Sequence, residues 1–220
     1  MALFDFHSHL LYDVDHGVQE RVRMIEIFKR YKAAGFGGIC LTPHLFHPTV
    51  HTKIENIREH YRTAREDARE LGLQTYLGSE LYVGSQMELQ CMPIASRYAL
   101  VEFSYKLEPM NLKARLMSLK SQGLDIWVAH VERYEWLGLR SKAMADMQSL
   151  GCYLQVNAED YGSKRVKEFL DAEIVDMIVT DNHGKLDAPS LLSRILDKEA
   201  LVADRMENIA ASLCSDDDIA

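Results

Sequence analysis

Apolar and polar positions along this chain change period repeatedly, from two residues to about three and a half and back. Short runs rich in Val, Ile, Leu and Phe, bounded by glycine or a polar turn, read as strands; longer stretches with apolar residues at helical spacing read as helices. A first strand is expected over Ala2 to His9, with Phe4, Phe6 and Ser8 facing one way and Asp5, His7 and His9 the other. A helix over Gln19 to Ala34 follows, its inner face drawn from Val22, Ile25, Ile27, Phe28 and Tyr31, with Gly35 just beyond its end. Further strands are expected at Gly38 to Thr42, Gln74 to Gly78, Tyr98 to Val101, Asp125 to Ala129, Cys152 to Val156 and Val175 to Thr180. The helices between them cover Ile54 to Leu71, Asn111 to Gln122, Leu137 to Leu150 and Lys164 to Leu170. Two more, Ser190 to Leu196 and Leu201 to Leu213, finish the pattern.

Strands that alternate with helices imply parallel pairing through helical crossovers. Seven such units suit a closed α/β barrel, and an open doubly wound sheet is the alternative. The polar residues favour the barrel. His9, His44, Glu80, Glu102, His130, Asp181 and His183 all fall at or just past the C-terminal ends of expected strands. In a barrel those ends surround one mouth, whereas an open sheet spreads them along an edge. With no linker, repeat or low-complexity run, residues 1–220 read as one domain, and 216–220 as a frayed acidic tail without a role.

Charge narrows the partners. The chain holds 33 acidic and 25 basic residues, a formal net charge of -8, which argues against a sequence-independent grip on nucleic acid or anionic membrane. No apolar run reaches membrane-spanning length and the N-terminus lacks the layout of a signal peptide, so no membrane insertion is expected. Cys40, Cys91, Cys152 and Cys214 form no Cys-x-x-Cys pair, which fits free thiols in a reducing, cytoplasmic compartment.

The candidate chemistry is metal binding. His7 and His9 project from one strand face, and Asp5 lies one step back, where a carboxylate orients an imidazole. With them, Asp15, His44, Glu80, Glu102, His130, Asp181 and His183 make a donor set too large for one ion. Imidazole and carboxylate without thiolate suit zinc, manganese or iron. Two or three ions sharing a bridging carboxylate would use the whole set, and clustered ions activate water against a phosphoryl group. The reaction class this implies is metal-assisted phosphoester hydrolysis. Cys91 to Arg97 also satisfies Cys-x₅-Arg, the minimal pattern of thiol-dependent tyrosine phosphatases. That loop has no internal glycine, Pro93 removes an amide, and the run leads into a strand instead of a helix, so it reads as coincidence.

Phe-His-Ser-His-Leu-Leu, Thr-Pro-His44, Gly-Ser-Glu80, Val-Glu102-Phe, His130-Val-Glu-Arg-Tyr134 and Thr-Asp181-Asn-His183 occur in one order. In that order the chain resembles the polymerase-and-histidinol-phosphatase (PHP) superfamily from Asp5 to about Asn208. Within it, the nearest likeness is to bacterial tyrosine-protein phosphatases of capsule and exopolysaccharide loci. The resemblance implies a distorted (β/α)₇ barrel with a trinuclear site, usually manganese or iron. It implies that His7, His9, Glu80 and Asp181 hold one ion, that Glu80 bridges to a second held with Glu102 and His130, and that Asp15, His44 and His183 hold a third. It also puts Arg133 beside the site as a phosphate clamp. The expected activity is phosphotyrosine hydrolysis by metal-activated hydroxide, with the tyrosine-rich tail of a bacterial tyrosine kinase as partner. Small-molecule phosphatases such as histidinol phosphatase, and a non-catalytic metal-binding regulator, are the alternatives.

The chain departs from the family pattern in places. Tyr12 replaces a proline and His16 an aspartate near Asp15, which weakens the third ion without removing Asp15. His16 is a candidate proton donor to the leaving oxygen. His47, His51 and His60 read as surface residues, the first two on a loop able to reach substrate. Tyr12, Phe46 and Tyr134 are equally suited to stacking on a substrate ring or to packing.

Overall fold

Seven parallel staves arranged as a ring dominate the computed structural model, which describes residues 2–215. The acidic run at 216–220 and the side chain of Cys214 lie outside the described residues. In chain order the elements are β1 (Leu3–Asp5), α1 (Arg21–Ala33), β2 (Phe36–Leu41), β3 (His44–Leu45), α2 (Ile54–Glu70), β4 (Gln74–Leu77), β5 (Glu80–Tyr82) and β6 (Tyr98–Glu102). After them come α3 (Leu112–Ser121), β7 (Asp125–Val128), α4 (Lys142–Ser149), β8 (Tyr153–Asn157), α5 (Lys164–Asp171), β9 (Met177–Val179), α6 (Ala188–Leu196) and α7 (Ala200–Ser215).

One sheet has the order β1-β2-β4 and the other β3-β5-β6-β7-β8-β9, with parallel pairing between neighbours. β3 takes up the line of β2 beyond Thr42 and Pro43, and β5 that of β4 beyond Gly78 and Ser79. The two breaks are what distorts the barrel. A parallel bridge between Ser8 and Asn182 closes the ring, flanked by N–H bonds from Asp181 to the His7 carbonyl and from His9 to the Asn182 carbonyl, each 3.0 Å. β4 has no ladder to β6. There Ile94 packs against the chain so closely that a Cβ on Gly78 would lie 2.2 Å from it.

β6 is buried along its whole length, and Ile126, Trp127 and Val128 of β7 are buried too, as continuous apolar strands covered on both faces should be. Across the barrel interior, Phe6 meets Trp127 edge-on at 5.4 Å between centroids, and Trp127 stacks on Tyr98 at 4.6 Å. This aromatic stack fills the barrel beneath the mouth.

Several local expectations need correction. The buried face of α1 is Met24, Ile27, Phe28 and Tyr31, a spacing of three, one and three, while Val22 is 77% exposed. α4 starts at Lys142 and not at Leu137, because the Ser141 hydroxyl caps it by accepting the Met144 N–H at 3.1 Å. Asp5 orients no imidazole. Its buried carboxylate accepts hydroxyls from Tyr31 at 2.6 Å and Thr180 at 2.5 Å and the Thr180 N–H at 3.1 Å, so it ties β1 to α1 and to the stave of β9. No helix among the described residues is long and apolar enough to cross a membrane.

Candidate metal centre

Strand ends deliver the polar residues to one place. His7 and His9 follow β1; His44 and Glu80 open β3 and β5 immediately after the two breaks; Glu102 ends β6. His130 follows β7 with φ 32°, and Asp181 follows β9 with φ 48°. Two non-glycine residues in the left-handed region, at two strand ends, mark backbone held in place by its surroundings to aim a side chain. His7, His9, Glu80, Glu102 and His130 are all at most 2% exposed.

The tightest cluster is also the expected first set. His7 Nε2 and His9 Nε2 are 3.2 Å apart, and Glu80 Oε2 lies 3.4 Å from the first and 3.2 Å from the second. Asp181 Oδ1 lies 3.5 Å and 3.4 Å from the same nitrogens. Donors about 2.1 Å from a shared ion in tetrahedral geometry stand about 3.4 Å apart. The residues therefore fit a metal ion. Among the described residues, Glu80 Oε2, His130 Nδ1 and His183 Nε2 are buried without a hydrogen-bond partner, which a purely structural network would avoid.

The other two sets share residues. His130 Nε2 is 2.9 Å from Glu80 Oε1 and 3.8 Å from Glu102 Oε2. His44 Nδ1 is 3.0 Å from Glu80 Oε2 and 2.9 Å from Glu102 Oε1, so His44 stands between the second and third expected sets. Donor atoms of His9, His44 and His183 come within 4.8 Å of one another, as do those of Asp15, His16 and His44. Asp15 also has the orienting role expected of Asp5. Its Oδ2 is 2.7 Å from His9 Nδ1 and accepts the His44 N–H at 3.1 Å, while Oδ1 accepts the Gly17 N–H at 2.9 Å. Gln155 Oε1 does the same for His7 Nδ1 at 3.2 Å, and the His183 Nδ1 bonds the Asp181 carbonyl at 2.8 Å, leaving Nε2 as a lone-pair donor.

Charges within the cluster are arranged to trade protons for cations. Burial pushes the Glu80 and Asp181 carboxyls up, but the imidazoles around them outweigh it and hold both well below the usual carboxylate range. Burial pushes His9 down, yet Asp15, Asp181 and Glu80 raise it well above an ordinary imidazole. His44 rises to about 9, because Glu80 and Glu102 outweigh its burial and the nearby His9. His183 goes the other way, to about 3, through burial and the nearby His9.

Above the cluster is a cavity of about 430 Å³, rimmed by His16, His47, Thr49, Val50, Tyr105 and Arg133. Arg133 Nη1 donates to Asp181 Oδ2 at 3.1 Å, and its Nε is 3.6 Å from Asp160. Burial works against the guanidinium, but Asp181 and Tyr105 outweigh it, and it stays charged. The His16 ring is 5.0 Å from that of His44 and 4.5 Å from that of His183. Burial and the imidazoles of His44 and His9 lower its pKa, so it is neutral near pH 7.

Other expectations separate cleanly. His47 reaches the cavity; His51 is exposed and does not line it. His60 is not a free surface group: its ring stacks on Tyr12 at 4.4 Å and its Nδ1 bonds the Tyr12 carbonyl at 2.9 Å. Tyr134 is fully buried beside Phe103 and Trp136, its hydroxyl accepting the Phe103 N–H at 3.2 Å, so it packs and does not stack on substrate. Around Cys91 there is no anion cradle: burial pushes its thiol up to about 11, and Arg97 is held by Asp125 at 3.0 Å. Sequence reasoning missed Tyr105, Gln155 and Asn157, whose Nδ2 donates to Asp181 Oδ2 at 2.8 Å. Asn157 was findable, since it ends β8 as the ligand candidates end their strands; Tyr105 carries no such signal.

Fold and site define a class: a parallel α/β barrel with buried His/Asp/Glu clusters suited to metal ions at its mouth. The family model for capsular polysaccharide synthesis, CpsB/CapC, matches residues 3–210, and the chain belongs to that family. It is 28% identical over 215 residues to the tyrosine-protein phosphatase CpsB of Streptococcus pneumoniae, covering 89% of this chain and 88% of that protein. To the putative tyrosine-protein phosphatase CapC of Staphylococcus aureus it is 24% identical over 217 residues, covering 91% and 85%. Crystal structures of YwqE from Bacillus subtilis and CpsB from Streptococcus pneumoniae, described as metal-dependent tyrosine phosphatases, include one that superposes with a TM-score of 0.79 at 16% identity. That match covers 96% of this chain and 92% of the other, and it bears on the fold.

Proposed function

We propose that this chain is a metal-dependent protein-tyrosine phosphatase of capsule and exopolysaccharide biosynthesis. The observation that carries the reading is the set His7, His9, Glu80 and Asp181, with donor atoms 3.2–3.5 Å apart beneath a cavity that Arg133 rims. Membership of the CpsB/CapC family and the activities named for its relatives point the same way. His7, His9, Glu80 and Asp181 would hold one ion; Glu80, Glu102 and His130 would hold a second; Asp15, His44 and His183 would hold a third, with His44 close enough to Glu80 and Glu102 to serve either of the last two. Bound divalent ions, manganese first and iron or zinc after it, supply Lewis acidity that lowers the pKa of water and offsets phosphate charge.

The chain's own residues do the rest. Arg133, anchored on Asp181 at 3.1 Å, presents its remaining donors to phosphate oxygens and holds phosphorus in line for attack. Asp15 and Gln155 fix the rings of His9 and His7 so that their Nε2 atoms face the cluster. A tyrosine phenolate has a pKa of about 10, so the leaving oxygen needs little help from an acid. His16, neutral near pH 7, therefore contributes to proton transfer only at lower pH and otherwise lines the mouth. The substrate is phosphotyrosine in a protein, with the tail of a bacterial tyrosine kinase as the natural partner. The work is cytoplasmic, where Cys40, Cys91 and Cys152 remain thiols.

Phosphate release from a phosphotyrosine peptide and from histidinol phosphate, by protein stripped of metal and reloaded with manganese, iron or zinc, tests this. Metal-dependent turnover of the peptide is expected. Turnover of histidinol phosphate alone would leave the site and replace the substrate; turnover of neither, with metal bound, would make the chain a non-catalytic binder.

A further inference from the structure

Arg58, Arg62, Arg65 and Arg69 follow one another along α2 at intervals of four, three and four residues, which puts them on one face of the helix. All four are exposed, and none forms an ion pair or side-chain hydrogen bond among the described residues. Four unpaired cations in a row run against the sign of a chain whose net charge is -8. They border a groove. A cavity of about 930 Å³ is lined by Arg65, Arg69, Thr75, Leu77, Pro93 and Ser96. A second, of about 460 Å³, is lined by Arg58 and Arg62 and shares Leu77 and Pro93 with the first, so the two are continuous.

The wall of the groove is β4, which among the described residues is laddered on one side only, to β2. The Thr75 carbonyl already accepts the Tyr61 hydroxyl at 2.8 Å, so an added strand would pair with the other main-chain groups of this edge. Thr75 lines the groove at 8% exposure, and its Oγ1 is buried without a hydrogen-bond partner among the described residues. That orphaned hydroxyl is an observation independent of the arginines. We propose that the groove docks an extended acidic segment of a protein partner, laid along β4 with its carboxylates on the α2 arginines and a polar group on Thr75. The mouth lies at one end of this track: Thr52, two residues before α2, donates its hydroxyl to the His44 carbonyl at 2.8 Å. A partner held in the groove is thereby kept beside the mouth. The docking stands apart from the catalytic reading and is tested without turnover.

The test uses the full chain and a labelled short peptide alternating Glu and Val, with a Lys/Val peptide as control, followed by fluorescence anisotropy. Saturable binding of the acidic peptide alone is expected, with slower amide exchange in Gln74–Leu77. Arg65→Glu with Arg69→Glu should weaken it about tenfold or more at an unchanged melting temperature, and added salt should weaken it further. No saturable binding, equal binding of the Lys peptide, or unchanged affinity in the double variant would overturn the proposal. Binding that emerges only when residues 216–220 are removed would assign the groove to the chain's own Asp216–Asp218 run, and a partner would no longer be its occupant.

Discussion

His9 Nδ1 sits 2.7 Å from Asp15 Oδ2, which leaves Nε2 of the same ring facing Glu80 and Asp181. The carboxylate fixes the tautomer and raises the basicity of the nitrogen across the ring. Asp15→Asn keeps the shape and removes the charge. It should weaken metal affinity about 10–100-fold, measured by equilibrium titration, with little change in the melting temperature of the metal-loaded protein.

In the proposed function Arg133 acts on substrate more than it holds the fold, and its side chain is 31% exposed and lines the cavity. Arg133→Ala should lower kcat/KM by about 100-fold, roughly 2.7 kcal/mol, with metal content unchanged. Arg133→Lys should recover only a small part, because an ammonium lacks the planar fork. Steady-state kinetics beside metal analysis separates this role from a structural one.

In the metal-free protein His44 titrates near 9, above its ordinary value of 6.5. A raised folded-state pKa adds stability that is fully present below about 6.5 and is lost as pH rises through about 9. A metal ion held by His44, as proposed, must displace the same proton, so apparent metal affinity would move in the opposite sense and rise over that window. Thermal melts in chelator at pH 6.5, 8 and 9 should fall, while metal titrations over the same range should tighten.

Asp5 has a structural role, and its partners make that testable. Tyr31→Phe removes the hydroxyl that Asp5 accepts at 2.6 Å and leaves a buried carboxylate short of a donor. Destabilisation of about 1–3 kcal/mol is expected by denaturant unfolding, with metal content and turnover unaltered.

The barrel, and the gathering of most candidate donors at its mouth, were legible because both rest on strand ends. His9, Glu102, His130, Asp181 and His183 follow or close apolar runs that any period-two reading detects. Asp5 was misassigned because alternation says which face a residue takes but not what packs on that face, and Tyr31 arrives there from a helix. β3 and β5 were hidden by their length, two and three residues, and by the breaks at Pro43 and Gly78 that precede them. Tyr105 and Gln155 depend on loop conformation and on a partner across the barrel, neither of which has a local signature. The arginine face of α2 was readable by spacing, but the groove beside it exists only because β4 lacks a ladder to β6.

The most direct test compares wild type, Cys91→Ser and His7→Ala for bound metal and for phosphate release from a phosphotyrosine peptide. His7 donates one of the four atoms in the tightest cluster, whereas Cys91 has a thiol pushed up to about 11 by burial and lies outside the cavity. Metal-dependent turnover that survives Cys91→Ser and collapses together with metal content in His7→Ala is the predicted result. Activity that disappears in Cys91→Ser and withstands chelation would contradict the metal site as the seat of catalysis.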